Sequence, residues 1–249
     1  MGVERIGDAS AQADAELLAM TAECLLEAGL TEFQISVGQV DYFESLLREA
    51  ELDEEGEERL RFLISQKNYL GVEELVQEQK LKKSLAAAFV ELPQMFGSTE
   101  VLKKAGQLTR NARALEAVSR LREIYDILKL YGYEKYISFD FGMLSKYQYY
   151  TGIIFQAFTY GTGEPLVKGG RYNELMKHFG RPAPSIGFAI VVDNLLQALT
   201  RQKISMPEEP GVQVLTYPED AWEAAVKKAR ELRSKGVRVA LYPEKEELL

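Results

Sequence analysis

Three short segments carry residue types that could do chemistry. The first is Lys168-Gly-Gly-Arg-Tyr-Asn-Glu-Leu175. Paired glycines where a strand ends let a ligand or a second backbone come close. Arg171 has the planar fork to pair with a carboxylate or phosphate, and Tyr172 offers a ring and a hydroxyl. Taken alone, a Gly-Gly pair beside an arginine is more often just a turn. The second segment is Tyr149-Tyr-Thr-Gly-Ile-Ile-Phe155. Strand alternation puts Tyr149 and Thr151 on one face and Tyr150 and Gly152 on the other. A tyrosine beside a glycine makes a floor and a hydrogen-bonding wall for a small planar ligand, although the packing of a hairpin core would use the same residues. The third is Pro184-Ser-Ile-Gly-Phe-Ala-Ile190. Gly187 and Ala189 share a face and leave it almost bare, with room for a ligand or a helix.

The composition limits what that chemistry can be. The chain has 249 residues and a formal net charge of -8, so there is no basic excess to attract nucleic acid. The single histidine, His178, excludes a multi-histidine metal site, and the single cysteine, Cys24, cannot form an internal disulfide. No cofactor is implied. No apolar run approaches the roughly 20 residues that span a bilayer, and the N-terminus lacks the basic and apolar regions of a signal peptide. The cytoplasm is the expected location, with no membrane partner.

These segments need elements to position them. A helix is expected from about Ser10 to Ala28, with Leu17, Leu18, Thr21, Cys24, Leu25 and Ala28 recurring at three- and four-residue steps and Gly29 as the stop. Phe33 to Val37 alternates like a strand with one buried face, and Val40 to Glu49 reads as a short helix. Residues 51–130 read as a helical insertion broken at Pro93 and Gly97. Its charge run, Glu51 to Arg61, suits a solvated helix face. Its last helix, Arg113 to Leu130, carries Leu115, Val118, Leu121, Ile124, Tyr125 and Leu128 on one face. From Tyr136 the period becomes strand-like: Tyr136 to Gly142, Tyr147 to Tyr160, a return strand from Leu166 that Gly169-Gly170 ends, and Ser185 to Val192. A short helix is expected from Arg171 to Phe179, and Asp193 is expected to cap another that runs to about Thr200. Lys203 to Pro210 looks like a linker. Residues 211–249 read as one βαβ unit, too short for an independent core.

Order and spacing are more specific than any one segment. Tyr-Tyr-Thr-Gly in a strand, then Gly-Gly-Arg-Tyr, then Gly-Phe-Ala-Ile resembles the histidine-specific motif and motif 3 of histidyl-tRNA synthetase. The likeness is strong over about residues 136–200 and looser over 1–50, where Gly2-Val3-Glu4 with Gly7 looks like the tail of motif 2. The resemblance implies an α+β fold of class II aminoacyl-tRNA synthetase type: an antiparallel sheet flanked by helices, a helical insertion and a short C-terminal α/β tail. The expected domains are an N-terminally incomplete core over 1–202 and a partial anticodon-binding-like tail over 211–249. It also implies a histidine pocket built by Glu4, Tyr149, Tyr150, Thr151, Gly169, Gly170, Arg171, Tyr172, Gly187 and Ala189. In that pocket Glu4 receives the ligand's α-amino group, and Tyr150 and Tyr172 border the imidazole.

The departures from the synthetase pattern point away from adenylate chemistry. The synthetase motif reads Arg-Gly-Leu-Asp-Tyr-Tyr-Thr-Gly, where this chain has Ser145-Lys-Tyr-Gln-Tyr-Tyr-Thr-Gly152. Ser145 cannot supply the positive charge that stabilises an activated phosphate, and the aspartate aligns with Gln148. Further on, the ATP-binding arginine aligns with Asn194 and a nucleotide-facing glycine with Val191. A histidine pocket without ATP machinery is similar to the synthetase-like regulatory subunits of ATP phosphoribosyltransferase. That resemblance implies no catalytic residue in this chain. It implies a short-form catalytic subunit as partner in the first step of histidine biosynthesis, histidine as ligand, and a homodimer in the full-length protein. A divergent histidine–tRNA ligase, with Lys146 or Arg181 replacing the lost arginines, and a scaffold with a vestigial pocket are the rival readings.

Overall fold

Seven extended segments form one sheet in the computed structural model, which describes residues 1–144, 149–205 and 211–244. In chain order they are β1 (Gly2–Ile6), β2 (Gln34–Gln39), β3 (Phe96–Gly97), β4 (Ile137–Asp140), β5 (Ile153–Phe158), β6 (Val167–Arg171) and β7 (Ser185–Ile190). Across the sheet the order is β1-β7-β6-β5-β2-β4-β3. Each neighbouring pair is antiparallel except β2 and β4, which run parallel. The expected strand over Phe33 to Val37 is β2, and it is buried along both faces rather than one.

Helix α1 (Ala11–Glu27) begins where the Ser10 hydroxyl accepts the Ala13 N–H, at 3.1 Å, and it buries Leu17, Leu18, Thr21 and Leu25. Helix α7 (Ala112–Tyr131) packs beside it. The Asn111 side chain caps the start of α7 by accepting from the Arg113 and Ala114 N–H groups, and Gly132 ends it with a left-handed φ of 77°. Val118, Leu121, Ile124 and Leu128 are buried as the spacing predicts, but Leu115 is exposed, and Ala114 and Ala117 take its place against the core. Tyr125 of α7 meets Phe139 of β4 edge-on, with centroids 5.8 Å apart. One face of the sheet is thereby covered by helices.

The insertion is helical as expected: α3 (Glu54–Ser65), α4 (Tyr69–Glu78), α5 (Lys83–Glu91) and α6 (Thr99–Leu108). They follow α2 (Val40–Ala50) and lead into α7. Asp53 caps α3, so the charge run begins a helix whose Leu60 and Ile64 are buried. The short β3 at the sheet edge was not expected; it pairs with β4 where Pro93 and Gly97 interrupt the helices.

Several boundaries differ from expectation. Gly169-Gly170 does not end β6. Both glycines lie inside it, and Arg171 is its last residue rather than the start of a helix. A 3-10 turn follows only at Leu175–Phe179. The strand expected from Tyr147 begins at Ile153. Residues 145–148 lie outside the described residues, and Tyr149 to Gly152 run irregularly from a turn at Tyr149 to a bend at Gly152. There the Thr151 N–H donates to the Arg171 carbonyl at 2.8 Å and the Val40 N–H to the Gly152 carbonyl at 3.0 Å, which takes this stretch out of the regular ladder. Helix α8 (Val192–Arg201) starts two residues early, capped at Val191, with Asp193 inside its first turn rather than at its cap.

The chain divides into two compact units, 1–204 and 205–249. The second contains β8 (Gln213–Tyr217), α9 (Trp222–Ser234) and β9 (Val239–Pro243), a βαβ unit with parallel strands, as expected. Among the described residues no helix is long and apolar enough to cross a membrane.

Candidate functional site

The face of the sheet away from α1 and α7 carries the candidate pocket. Register explains its floor. Glu4 of β1 stands opposite Gly187 of β7, Gly187 opposite Gly170 of β6, and Gly170 opposite Ile154 of β5. Residues paired across a sheet point to the same side, so two glycines in a row leave a bare strip. That strip is roofed by neighbours. A Cβ on Gly187 would collide with the Glu4 carboxylate, and one on Gly170 would lie 2.7 Å from the Tyr150 ring. Glycine is required at both positions for the side chains beside them to lean over the floor.

The wall is aromatic. The Tyr172 hydroxyl donates to Glu4 Oε2. Tyr149 meets Tyr172 edge-on with centroids 6.1 Å apart, and the Tyr149 and Tyr150 rings lie 4.2 Å apart. Burial, then a hydrogen bond with Tyr149, pushes the Tyr150 phenol above its ordinary value. Burial, then the bond to Glu4, does the same for Tyr172. Beside Tyr150 a cleft of about 390 Å³ opens over Ile154, Gln156 and Lys168. A carboxylate, two raised phenols and a third ring above a bare floor suit a small planar ligand that carries a protonated or N–H-bearing nitrogen.

The structure sorts the expected site residues. It brings together Glu4, Tyr149, Tyr150, Gly170, Tyr172 and Gly187. Ala189 is on the same face, two residues along β7, and is exposed. Gly169 faces the helices instead, where a Cβ would lie 2.6 Å from the Phe155 ring and 2.7 Å from Phe188. The expected sharing of a face by Tyr150 and Gly152 also fails. The turn turns both tyrosine rings to one side, whereas a Cβ on Gly152 would meet the Arg171 side chain at 3.1 Å. Thr151 is a brace rather than a wall: its hydroxyl accepts the Asn173 N–H at 2.9 Å.

Arg171 departs most from expectation. Its side chain turns under the sheet and is 4% exposed. Arg171 Nε donates to Asp14 Oδ1 at 2.7 Å, and other guanidinium nitrogens reach the carbonyls of Asp8 at 2.8 Å and Ser10 at 3.5 Å and Asn173 Oδ1 at 3.3 Å. Arg120 of α7 donates to Asp14 Oδ2 at 2.8 and 2.7 Å and to the Ala9 carbonyl at 2.7 Å. Burial pushes the Asp14 carboxyl up, against the pull of the two guanidiniums. The resemblance placed Asp14-Ala15-Glu16 only as the helix after motif 2, without a role for Asp14, and nothing marked Arg120. The available signal was periodicity: Asp14 lies three residues before Leu17, on the apolar stripe of α1, where an unpaired carboxylate would not be tolerated.

Two positions that the resemblance aligns with nucleotide-contacting residues make local contacts here. Asn194 Nδ2 donates to the Pro165 carbonyl at 2.9 Å, which ties α8 to the turn before β6. The Val191 N–H donates to the Leu166 carbonyl at 2.8 Å. Arg181 is exposed, and Ser145, Lys146 and Gln148 lie outside the described residues. Among the described residues no cluster of histidine, cysteine and carboxylate side chains could hold a metal ion.

The chain is similar to several known proteins. The family model described as histidyl-tRNA synthetase matches residues 1–195. A protein of Acetivibrio thermocellus named ATP phosphoribosyltransferase regulatory subunit is 40% identical over 239 residues, which is 96% of this chain and 57% of that protein. One of Thermoanaerobacter pseudethanolicus with the same name is 38% identical over 241 residues, 97% of this chain and 63% of its own length. The chain thus spans about three-fifths of the curated relatives it matches. A crystal structure from Bacillus halodurans, described as an ATP phosphoribosyltransferase regulatory subunit/histidyl-tRNA synthetase, superposes with a TM-score of 0.80 at 31% identity, over 97% of this chain and 62% of that one. The histidyl-tRNA synthetase of Nostoc sp. PCC 7120, at 20% identity and a TM-score of 0.74 over 99% of this chain and 61% of that one, shares the fold. With the family model covering the sheet, the insertion and the pocket alike, this chain belongs to the histidyl-tRNA synthetase family.

Proposed function

We propose that this chain is the greater part of a regulatory subunit of ATP phosphoribosyltransferase, acting in the cytoplasm in the first step of histidine biosynthesis. It binds histidine and performs no aminoacylation. One observation carries the reading: the Glu4 carboxylate and the tyrosine rings stand over Gly170 and Gly187, while Asn194, which the resemblance aligns with an ATP-binding arginine, is tied to the Pro165 carbonyl. The names of the relatives support it. In this reading Glu4 receives a nitrogen of the ligand by a charge-assisted bond, and the three tyrosine rings hold the imidazole. The partner is the short-form catalytic subunit, which carries out the transfer. Histidine acts by binding one state of the complex better than another, a coupling of typically about 1–3 kcal/mol.

Calorimetric titration tests this directly. Histidine is expected to bind and ATP is not. Histidine-dependent ATP–pyrophosphate exchange would overturn the reading in favour of a ligase. Feedback that is unchanged in the assembled complex after substitution of Glu4 and Tyr172 would favour a scaffold with a vestigial pocket.

A further inference from the structure

The cluster of Asp14, Arg171 and Arg120 sits beneath the pocket and no part of the proposed function uses it. Its burial needs a reason. A buried ion pair is weak evidence for stability, because taking the charges out of water offsets most of their attraction. Here the side chains of Asp14 and Arg171 are 1% and 4% exposed. What the cluster does hold is geometry. Arg171 lies between Gly170, part of the pocket floor, and Tyr172, part of its wall. Its guanidinium and that of Arg120 together grip three successive carbonyls, Asp8, Ala9 and Ser10, in the loop that leaves β1. Glu4 is on β1. The cluster therefore fixes, from the helical side, the spacing between Glu4 and Tyr172, which meet on the other side. Asp14 is the common acceptor, and one of its two donors comes from α7, the helix that closes the insertion.

We infer that Asp14 and Arg120 are positioning residues for the pocket, so that the seating of α7 and the Glu4–Tyr172 contact are set together. Neither residue lines the pocket. Its occupant, taken as histidine, rests on the proposed function, but the positioning itself does not.

The test is Arg120→Gln in the whole chain, which leaves Arg171 to neutralise Asp14. Two quantities are read: the ring-carbon NMR signal of Tyr172, assigned with Tyr172→Phe, in the ligand-free protein, and the affinity for histidine. The Tyr172 signal is expected to move although Arg120 does not touch that ring, and histidine is expected to bind at least about fivefold more weakly. Arg120→Lys, which keeps the charge without the fork, is expected to fall between, and serves if the glutamine variant does not fold. A folded variant that is less stable but unchanged in both readouts would reduce the cluster to a structural brace and overturn the inference. If histidine binds neither protein yet the Tyr172 signal moves, the positioning stands and the histidine reading falls.

Discussion

Glu4 is the residue on which the pocket turns, because Tyr172 donates to its carboxylate and Tyr150 lies within reach of its charge. A phenol raised above the ordinary value of about 10 keeps its proton longer in the folded chain than in the unfolded one. Its contribution to stability is therefore complete below that pH and is lost as pH rises through the folded value. Tyr172 owes part of its rise to Glu4. In Glu4→Gln, a phenolate absorbance titration is expected to show one tyrosine step shifted down toward the ordinary range, together with a marked loss of histidine affinity. A titration curve that matches the native one would mean that the carboxylate does not act on the ring. Glu4 and Tyr172 were legible in the sequence from their motif positions. Arg171 was not, since a motif fixes a residue's place in the chain and not the side of the sheet to which its side chain turns.

At the scale of the element, β6 and β7 act through what they lack. Gly187 faces the Glu4 carboxylate, the far end of a flexible side chain, whereas a Cβ on Gly170 would lie 2.7 Å from the Ile153 carbonyl as well as against the Tyr150 ring. Gly187→Ala is therefore expected to fold normally but to displace Glu4, with histidine affinity falling while the melting temperature barely changes. Gly170→Ala must also move backbone, and is expected to lower stability by the roughly 1–3 kcal/mol typical of overpacking. Equal melting temperatures for the two variants would contradict this distinction. The strand positions of the two glycines could be read only once the register was known, because a Gly-Gly pair ends a strand in sequence terms but here lies inside one.

For the whole molecule, all the candidate site residues belong to the unit spanning 1–204. Removing residues 205–249 is expected to leave histidine affinity within about twofold of the intact chain, within the scatter of sites that act independently. A large loss would place part of the site in the second unit. The acidic chain and the βαβ character of residues 211–249 were both apparent from composition and period. So was the helical insertion, where apolar spacing and caps such as Asp53 and Asn111 act locally.

The sequence by itself determined the elements and, through its resemblance to histidyl-tRNA synthetases, the family: it has the Tyr-Tyr-Thr-Gly and Gly-Gly-Arg-Tyr segments, and Ser145 and Asn194 where the synthetase pattern has arginines. These are statements about residue types at set spacings, and the chain states them outright. Only the tertiary structure decided that Arg171 and Gly169 turn toward the helices, that Tyr149 and Tyr150 share a side, and that Asp14 joins Arg171 to an arginine 106 residues away from it in sequence. The physical reason is that facing depends on where a strand leaves its ladder. That point is set by long-range hydrogen bonds, such as Thr151 to Arg171, whose partners no local spacing reveals.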